Sequence, residues 1–432
     1  MIRKIIISGI IVSSLEWYDF ALYGLLATYL SKLFFPATEH LTSLIATFSV
    51  FAAGFAMRPL GALAFGFIGD RYGRRVSLIS SILLMAIPTA CIGLLPTYEQ
   101  IGISAPVLLA VLRLLQGFSL GGATSGSMTF IVEHSSDKNR GIIGSTMMMS
   151  MVIGTLLAAA IVTVVSMLTT SEQFYAFGWR ITFLVGIFAA IGANYIKNNV
   201  PESPIYSHAK TTGKLSTRPF TDLFRHHFPE LLQATGIILS LTIPYYIVTV
   251  FLISLMEILG HSRNETLVIN TISMIVLLAF IPLSALLSDR IGRKRVLMGG
   301  ALLHIIGTIP AFWLLCLPGF VPALLGYTIL ATSLGCYIGS LPAVLVEIFP
   351  TRIRYTGVSL GYNFCISVFG GTAPLVSAAL IHTIKKHPML GAMTEHLFGN
   401  VNAFPALYIT LAAVISLVTL CFYKERYKSS LE

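Results

Sequence analysis

The sequence predicts an all-α membrane protein with about twelve transmembrane helices in two pseudo-symmetric six-helix bundles, and three observations predict this fold. Hydrophobic residues make up 55% of the 432 residues and charged residues only 11%, whereas soluble domains carry about 25% charged residues. The apolar residues cluster into runs of about 20 or more, which is enough to cross a hydrocarbon core of ~30 Å. Charged landmarks in the first half of the chain recur in the second half.

The first apolar run is predicted to be a spanning helix and not a cleaved signal peptide. It reaches about Phe35, contains Glu16 and Asp19, and lacks a small-residue cleavage site. The longest polar interruption runs from Val200 to Pro229 and divides the chain into two blocks. We therefore predict an N-terminal bundle at 1–200, a cytoplasmic linker at 201–229 and a C-terminal bundle at 230–432.

The remaining helices follow the limits of the apolar runs, six before the linker and six after it. Short polar or charged segments separate one run from the next, so each run is read as one crossing of the bilayer. The predicted helices cover residues 5–34, 43–69, 76–96, 104–133, 141–168, 179–199, 230–257, 266–288, 296–317, 320–349, 355–384 and 403–423.

The orientation follows from the lysine and arginine residues, which are enriched in cytoplasmic loops of membrane proteins. With the N-terminus placed in the cytoplasm, 21 of the 28 basic residues fall on the inner side, five on the outer side and two inside helices. This bias predicts that both termini are cytoplasmic. It also explains the net charge of +10 without a nucleic-acid partner, for which the chain has no base-reading motif.

The two halves share charged landmarks at equivalent helices. Asp70-Arg71-Tyr72-Gly73-Arg74-Arg75 follows helix 2, and Asp289-Arg290-Ile291-Gly292-Arg293-Lys294 follows helix 8, 219 positions later. Glu133 and Arg140, seven residues apart, recur as Glu347 and Arg354 with an offset of 214. Internal duplication of this kind is typical of secondary transporters, which bind their solute between the two repeats.

Four charged residues lie deep inside the predicted helices: Glu16, Asp19, Arg58 and Arg113. Each costs at least ~2.5–3.5 kcal/mol at mid-bilayer, so such residues are candidates for function. At 1.5 Å per residue, Glu16, Arg58 and Arg113 lie roughly 18–20 Å from one end of their helices. Two acids and two bases at one depth can neutralise each other. The alternative is that they only join helices 1, 2 and 4, and for Arg58 the following Pro59 suggests a role in helix shape.

The spacing of these residues predicts two polar helix faces around a solute. Glu16, Asp19 and Tyr23 share one face, and Arg113 and Gln116 share another. An arginine can hold a carboxylate by paired hydrogen bonds, and two nearby carboxylates can share a proton. In the second half Tyr362 and Asn363 are candidates to line the cavity, with ordinary packing as the alternative for the tyrosine, and Pro244 is a candidate to interrupt helix 7.

The repeated loop charges predict a cytoplasmic gate whose ion pairs hold while the cavity opens outward. Asp70 is expected to cap helix 3 or to pair near Arg140. Glu133 needs a basic partner because the helix dipole disfavours an acid at a C-terminus, and Arg71, Arg74 or Arg140 could supply it. The alternative is that the basic residues only fix the orientation of the helices in the membrane. We prefer this alternative for Arg75, Lys294 and Arg295. The gate hypothesis comprises Asp70, Arg71, Gly73, Arg74, Glu133, Arg140, Asp289, Arg290, Gly292, Arg293, Glu347 and Arg354.

Other classes of function lack their motifs. The chain has no H-E-x-x-H and no G-x-S-x-G, so we expect no enzyme. Its five cysteines lie in apolar runs without C-x-x-C spacing, so no disulfide framework, metal or other cofactor is expected. His304 stands alone in helix 9 and is assigned to packing or to an interhelical hydrogen bond.

With these residues in view, the chain resembles the major facilitator superfamily and, within it, the metabolite:proton symporter family of proline/betaine, α-ketoglutarate and shikimate carriers. The D-R-x-G-R-[RK] loop is the superfamily's most recognisable signature. The narrower resemblance rests on Glu16-Trp17-Tyr18-Asp19-Phe20, Arg58-Pro59-Leu60-Gly61, Arg113-Leu114-Leu115-Gln116-Gly117-Phe118, Gly178-Trp179-Arg180, Glu202-Ser203-Pro204 and Gly370-Gly371-Thr372-Ala373-Pro374.

The sequence departs from the family's usual pattern at three places. Ala123 follows Gly121-Gly122 where the family usually has glutamate, and Val12-Ser13 replaces the usual Gly-Asn. The chain ends at Glu432, soon after helix 12, so we expect it to lack the long C-terminal coiled coil of the osmosensing betaine carriers.

The resemblance implies a monomer in the bacterial inner membrane that takes up a small organic acid or an amino-acid-like zwitterion together with protons. Its partners would be that solute, protons and the lipid bilayer. The alternatives are a proton-exchanging exporter, a facilitator, or a sensor that has lost transport.

Overall fold

The computed structural model describes residues 2–36, 40–213, 215–216, 218–387, 389, 392, 394–395, 400–427 and 429–431. Within these residues the chain is helical throughout, with no β-strand. The first half contains α1 (Ile2–Leu25, continued after a break as Ala27–Phe34), α2 (His40–Arg71), α3 (Arg74–Leu94), α4 (Ser104–Glu133), α5 (Arg140–Leu168) and α6 (Trp179–Leu184 and Ile187–Asn199).

The second half repeats this plan. It contains α7 (Phe228–Tyr246, a π-helical turn Ile247–Phe251, then Leu252–Ile258), α8 (Arg263–Ile291), α9 (Arg293–Leu315), α10 (Phe320–Ile338 and Leu341–Ile348), α11 (Arg354–Cys365, a π-helical turn Ile366–Gly370, then Ala373–Lys386) and α12 (Pro405–Phe422). The linker carries two shorter helices, Pro204–Thr211 and Pro219–His226.

The helices match the predicted spans, with two corrections. Ten helices among the described residues are long and apolar enough to cross a membrane. The first predicted helix, 5–34, is bent by 65° at its break and counts as an eleventh span if both pieces are taken together. The sixth, 179–199, is interrupted between Leu184 and Ile187, where Gly186 packs directly against the Thr89 side chain.

Helix α7 is irregular near the predicted proline, although the helix does not end there. It continues through Pro244 to Tyr246 and then widens into its π-helical turn. Helix α11 widens in the same way after Cys365. Such π-helical turns are frequent at functional sites, and both lie near the middle of the bundle.

Helices α2 and α4 lie backbone to backbone because glycines line their contact. A Cβ atom on Gly61 would overlap the carbonyl oxygen of Phe118, and one on Gly117 would overlap that of Gly54. Small residues permit this close approach in membrane helices. The contact holds Arg58 of α2 beside Arg113 and Gln116 of α4, so the glycines position the deep charges.

The two halves meet mainly at one end of the bundle. Helix α11 packs against α2 and α4, and α5 packs against α8 and α10. These contacts cluster around Asp70, Arg140 and Arg354, at the end that the charge distribution assigns to the cytoplasm. The end of the bundle that carries these residues is therefore closed.

Candidate functional site

Arg58 occupies the boundary between the two halves and is only 1% exposed. Its Nε donates to Oδ1 of Asn363 in α11 over 3.1 Å. The Asn363 amide in turn donates to the carbonyl oxygens of Gly121 at 2.7 Å and Ser359 at 2.9 Å. The structure therefore brings together Arg58 and Asn363, two candidate site residues from opposite halves.

The two terminal nitrogens of Arg58 are buried and have no hydrogen-bond partner among the described residues. A buried cation without acceptors is costly, and a guanidinium offers a carboxylate two parallel hydrogen bonds. The free edge of Arg58 therefore offers two hydrogen-bond donors to an anionic group of the right size.

An aromatic cluster of Trp17, Phe20, Phe51, Phe55 and Tyr246 surrounds the approach to Arg58. Phe20 contacts Trp17, Phe51 and Phe55, with ring centroids 5.4, 5.1 and 5.3 Å apart. Phe55 and Tyr246 join α2 to α7 at 5.9 Å, and the Arg58 guanidinium lies 5.9 Å from the Phe55 ring. The buried Tyr246 hydroxyl has no partner among the described residues. Aromatic faces in this arrangement can hold a cation.

Asp19, Tyr23, Arg113 and Gln116 form one cluster, as their spacing predicts. Gln116 Nε2 donates to both carboxylate oxygens of Asp19, at 3.0 and 2.9 Å, and Arg113 Nη1 lies 3.5 Å from Asp19. Arg113 also donates to Gln116 at 2.8 Å and lies 3.7 Å from the centre of the Tyr23 ring. The charge of Arg113 is thus balanced by Asp19. Its Nε and Nη2, like the two terminal nitrogens of Arg58, are buried without a hydrogen-bond partner among the described residues.

Glu16 has a different environment from Asp19. One of its oxygens accepts a short hydrogen bond from Thr124 of α4, and the other is buried without a partner among the described residues. The two carboxylates line one small cavity together with Thr89 and Ala123, yet no hydrogen bond joins them in the described part of the chain. The hypothesis that they share a proton directly is therefore not supported by a contact.

Tyr362 is buried within electrostatic range of Arg58, Tyr246 and Glu16. Its hydroxyl donates to Sδ of Met151 in α5 over 3.8 Å, so it packs across the boundary between the halves, in agreement with the alternative reading of this residue. Beside it, the Ser125 and Ser359 hydroxyls are 2.8 Å apart and join α4 to α11. His304 bonds Ser240 of α7 at 2.9 Å, which confirms the predicted interhelical hydrogen bond.

The gate residues form two equivalent arms, and the first arm is built around Asp70. Its carboxylate pairs with Arg74 at 2.8 Å and accepts the backbone N–H groups of Tyr355 at 3.1 Å and Thr356 at 2.8 Å. Asp70 therefore caps α11, and the expectation that it caps helix 3 or pairs near Arg140 is wrong. An acid at this place is stabilised by the free N–H groups and the dipole of a helix N-terminus.

The second arm repeats the first around Asp289. It pairs with Arg293 at 3.0 Å and accepts the backbone N–H groups of Gly141 at 2.9 Å and Ile142 at 2.8 Å. Asp289 thus caps α5 in the first half, as Asp70 caps α11 in the second. Each half supplies the acid that completes a helix of the other half.

The two glutamates exchange their partners between the halves. Glu133 lies 3.4 Å from Arg74 and 2.9 Å from Arg354. Glu347 lies 3.4 Å from Arg293 and 3.6 Å from Arg140. Of the three partners predicted for Glu133, Arg74 is confirmed. Arg140 pairs instead with Glu347 of the opposite half, and Arg354 takes the corresponding place beside Glu133.

Arg71 and Arg290 differ from the other residues of the gate hypothesis in their exposure. Both side chains are exposed, and the Arg71 guanidinium lies over the rings of Phe67 and Tyr72 at 5.5 and 5.9 Å. Their position one residue after the capping aspartate turns them outward from the closed interface. Their exposed positions favour the alternative that these two arginines anchor the topology, and their place in the gate stays a prediction.

Gly73 and Gly292 occupy the turns of the two arms with φ of +128° and +102°, a region that other residues rarely adopt. The turns let Glu202 accept the N–H of Arg75 at 3.1 Å and Glu425 accept that of Lys294 at 2.9 Å. The sequence analysis missed both glutamates as gate residues. The available signal was their shared position, three residues after the ends of α6 and α12.

Two tyrosines accompany these glutamates. Arg74 lies 4.9 Å from the ring of Tyr206, and Arg293 lies 5.0 Å from the ring of Tyr427. The Tyr206 hydroxyl donates to the carbonyl of Arg71 at 2.9 Å, and burial raises the pKa of this phenol, which keeps it a donor. The segment that follows the last helix of each half therefore packs against the gate arm of that half.

Comparison with known proteins places this arrangement in a family. The profile of the Major Facilitator Superfamily matches residues 9–374 and 234–431. A putative proline/betaine transporter of Staphylococcus aureus (strain COL) is 33% identical over 423 residues, which cover 97% of this chain and 88% of that protein. The glycine betaine/proline/ectoine/pipecolic acid transporter OusA of Dickeya dadantii (strain 3937) is 33% identical over 434 residues, covering 98% and 83%.

The solved structure of the proton:xylose symporter XylE bound to 6-bromo-6-deoxy-D-glucose superposes with a TM-score of 0.79 at 18% identity, covering 100% of this chain and 97% of that one. The fold of that transporter is therefore shared along the whole chain. Together with the duplicated charge clusters and the buried charges between the halves, these likenesses identify the chain as a membrane transporter of the major facilitator superfamily, in the group of members that includes the proline/betaine transporters.

Proposed function

We propose that this transporter accumulates a small zwitterionic carboxylate, of the amino-acid or betaine kind, by proton-coupled uptake. The observation that carries the proposal is the free edge of Arg58, whose two terminal nitrogens are buried without partners among the described residues. A solute carboxylate would accept both N–H groups there. The cationic end of the same solute would then lie against the aromatic cluster.

A monocarboxylate fits this site better than a dicarboxylate. Arg113 is already neutralised by Asp19 at 3.5 Å and held by Gln116 at 2.8 Å. Nε and Nη2 of Arg113 also lack hydrogen-bond partners among the described residues, but a second carboxylate placed there would lie beside the charged Asp19. Arg58 is therefore the better site for a solute carboxylate, and a second carboxylate would meet aromatic rings or an acid. The names of the relatives support the same choice, since proline, glycine betaine, ectoine and pipecolic acid each carry a carboxylate and a cationic nitrogen.

Protons would enter through the carboxylates of α1. The unpartnered oxygen of Glu16 is buried, where a protonated carboxyl group costs less than a charged one. We assign Glu16 and Asp19 to proton coupling, although Ala123 takes the place of the family's usual glutamate. One charge moved across 100 mV supplies ~2.3 kcal/mol, which corresponds to roughly a 50-fold gradient.

Transport would alternate between the two ends of the bundle. The two gate arms close the end that we assign to the cytoplasm, and they would separate to release the solute there. In this proposal residues 1–200 and 230–432 rock against each other, 201–229 joins them, and a monomer with both termini in the cytoplasm of a bacterial inner membrane is the working unit.

The test is uptake into proteoliposomes. We would offer labelled proline, glycine betaine, a dicarboxylate and a shikimate-like acid, with and without an inward proton gradient. Accumulation of a zwitterion only with the gradient is the expected result. Solute that only equilibrates, with or without the gradient, would indicate a facilitator. Accumulation driven by an outward proton gradient would indicate a proton-exchanging exporter, and binding without uptake would indicate a sensor.

The role of Arg58 is tested by comparing Arg58→Gln with Arg263→Gln. The first removes the buried guanidinium, and the second removes an exposed arginine at the start of α8. We expect Arg58→Gln to weaken solute binding by 100-fold or more and Arg263→Gln to leave it unchanged. Equal binding by both variants would contradict the assignment of the carboxylate site.

A further inference from the structure

The linker helix Pro219–His226 has one face buried in the protein. Pro219 and Leu223 are buried on this face, and Leu223 is 0% exposed. The helix packs against α2 of the first half and α11 of the second. These are the helices that carry Asp70 and the backbone groups it caps, so the linker helix lies directly beside the first gate arm.

Its other face exposes an apolar stripe. Phe220, Phe224, Phe228 and Leu232 recur every four residues and are 46%, 42%, 43% and 56% exposed. The rings of Phe220 and Phe224 are 4.7 Å apart, and those of Phe224 and Phe228 are 6.1 Å apart. Phe228 begins α7, so the stripe continues onto the outer surface of a membrane-spanning helix.

Because the apolar stripe continues onto a membrane-spanning helix, we infer that lipid covers it. The outer surface of a spanning helix faces lipid, and three adjacent exposed aromatic rings in line with it would otherwise stand in water. A helix with an apolar stripe and basic flanks lies in the plane of the membrane interface. The stripe is therefore placed to insert among acyl chains at the edge of the bilayer, on the side where the gate is closed.

Basic side chains flank the stripe. Arg218, Arg225 and His226 are exposed, and Arg225 lies about 140° around the helix from Phe220 at 3.6 residues per turn. The acid in this segment, Asp222, is engaged by the Ser216 hydroxyl. With Phe220 turned towards acyl chains, Arg225 is turned towards the layer of headgroups.

We propose that the linker surface, formed by Arg218, Phe220, Phe224, Arg225 and Phe228, binds acidic phospholipid in the leaflet on the gate side. The aromatic stripe contacts acyl chains, and the two arginines hold the headgroup phosphate by charge-assisted hydrogen bonds. Because the same helix packs on α2 and α11, bound lipid holds the linker against the closed gate.

The experiment measures lipid binding by the full-length protein in a detergent with a neutral headgroup. A dansyl-labelled phosphatidylglycerol is the probe, and unlabelled phosphatidylglycerol, phosphatidylcholine and inorganic phosphate compete with it. We expect phosphatidylglycerol to displace the probe at a concentration at least tenfold below that of phosphatidylcholine. Arg218→Gln with Arg225→Gln should remove most of this preference, at about fivefold per arginine.

The control removes the same charge from the opposite end of the bundle, through Arg263→Gln with Lys386→Gln, both exposed. It should keep the preference, and Phe224→Ser should weaken binding of both lipids alike. Arg225→Gln alone carries the test if the double variant does not fold. Equal loss in the control, displacement by inorganic phosphate, or no preference in the unmodified protein would overturn the proposal.

Discussion

Arg354 and Glu133 stand at the ends of helices from opposite halves, and Nη1 of Arg354 donates to Oε1 of Glu133 over 2.9 Å. Both side chains are nearly fully buried. The other oxygen of Glu133 lies 3.4 Å from Arg74, so one acid joins an arginine from each half. Glu133 is thereby the junction through which the first arm holds the two halves together.

Removing Arg354 is therefore expected to loosen the closed gate. Breaking a buried ion pair from one side costs about 3–5 kcal/mol, so Arg354→Gln should shift the population towards the inward-open state by 100-fold or more. The measurement is thiol labelling of Ser359→Cys, which lies between the halves, from the gate side in a cysteine-free background. Arg352→Gln, an exposed neighbour bonded to His227, is the control. Identical labelling of both variants would contradict the gate.

The two capping aspartates should be equivalent. Asp70 and Asp289 each pair with an arginine four residues on and accept two backbone N–H groups of the opposite half. Loss of a helix cap costs about 1 kcal/mol, with a range of ~0.5–2, and the buried arginine loses its partner as well. Asp70→Ala and Asp289→Ala should therefore lower the melting temperature and the uptake rate to a similar degree. A loss confined to one of them would argue against two working arms.

Alanine should be poorly tolerated in the turns of the gate. At the φ and ψ of Gly73 a side chain costs about 1–3 kcal/mol, and its Cβ would also overlap the Glu202 carboxylate. A Cβ atom added to Gly292 would lie 3.0 Å from the nearest atom of Glu425, so the loss should be smaller. A Cβ atom added to Gly299, within α9, would meet no atom of another helix within 4 Å, so Gly299→Ala should be neutral or stabilising. Thermal unfolding ranks the three variants, and any other order would count against the turn geometry.

Proton coupling should depend on Asp19. Asp19→Asn keeps a hydrogen-bonding group beside Gln116 and leaves Arg113 without its acid. We expect gradient-driven accumulation to fall by at least tenfold, because the carboxylate can no longer load and release a proton. Solute exchange without a gradient should be affected less. Glu99→Gln, an exposed loop acid, is the control, and undiminished accumulation in Asp19→Asn would exclude this residue from coupling.

The order of residues within short segments was sufficient to predict the helices and the duplicated loops, because long apolar runs and repeated charges can be recognised without knowing the fold. It was insufficient for the gate pairs. Glu133 and Arg354 are 221 residues apart, and no periodicity relates one helix to its neighbour in the other half. The bend after Leu25 follows Gly24, but a glycine within a long apolar run also occurs in helices that stay straight, so this residue alone did not predict the bend.

At the centre of the bundle, too, the sequence predicted contacts along one helix but not contacts between helices. Spacing on one helix correctly grouped Asp19 with Tyr23 and Arg113 with Gln116, because residues three or four apart share a face. It did not reveal that the hydrogen-bond partner of Glu16 would be Thr124 of α4. Nor did it reveal that Trp17, Phe20 and Phe51 form one aromatic cluster, since that depends on where α1 and α2 touch.

The crossed capping has a consequence for how the chain assembles. Until the halves dock, α5 and α11 each begin with unsatisfied N–H groups, and Asp70 and Asp289 have no helix to cap. Docking of the two bundles therefore adds four backbone hydrogen bonds that neither bundle has alone. A shift of a single helical turn would lose all four, so the contacts that close this end of the bundle also favour one register between the halves.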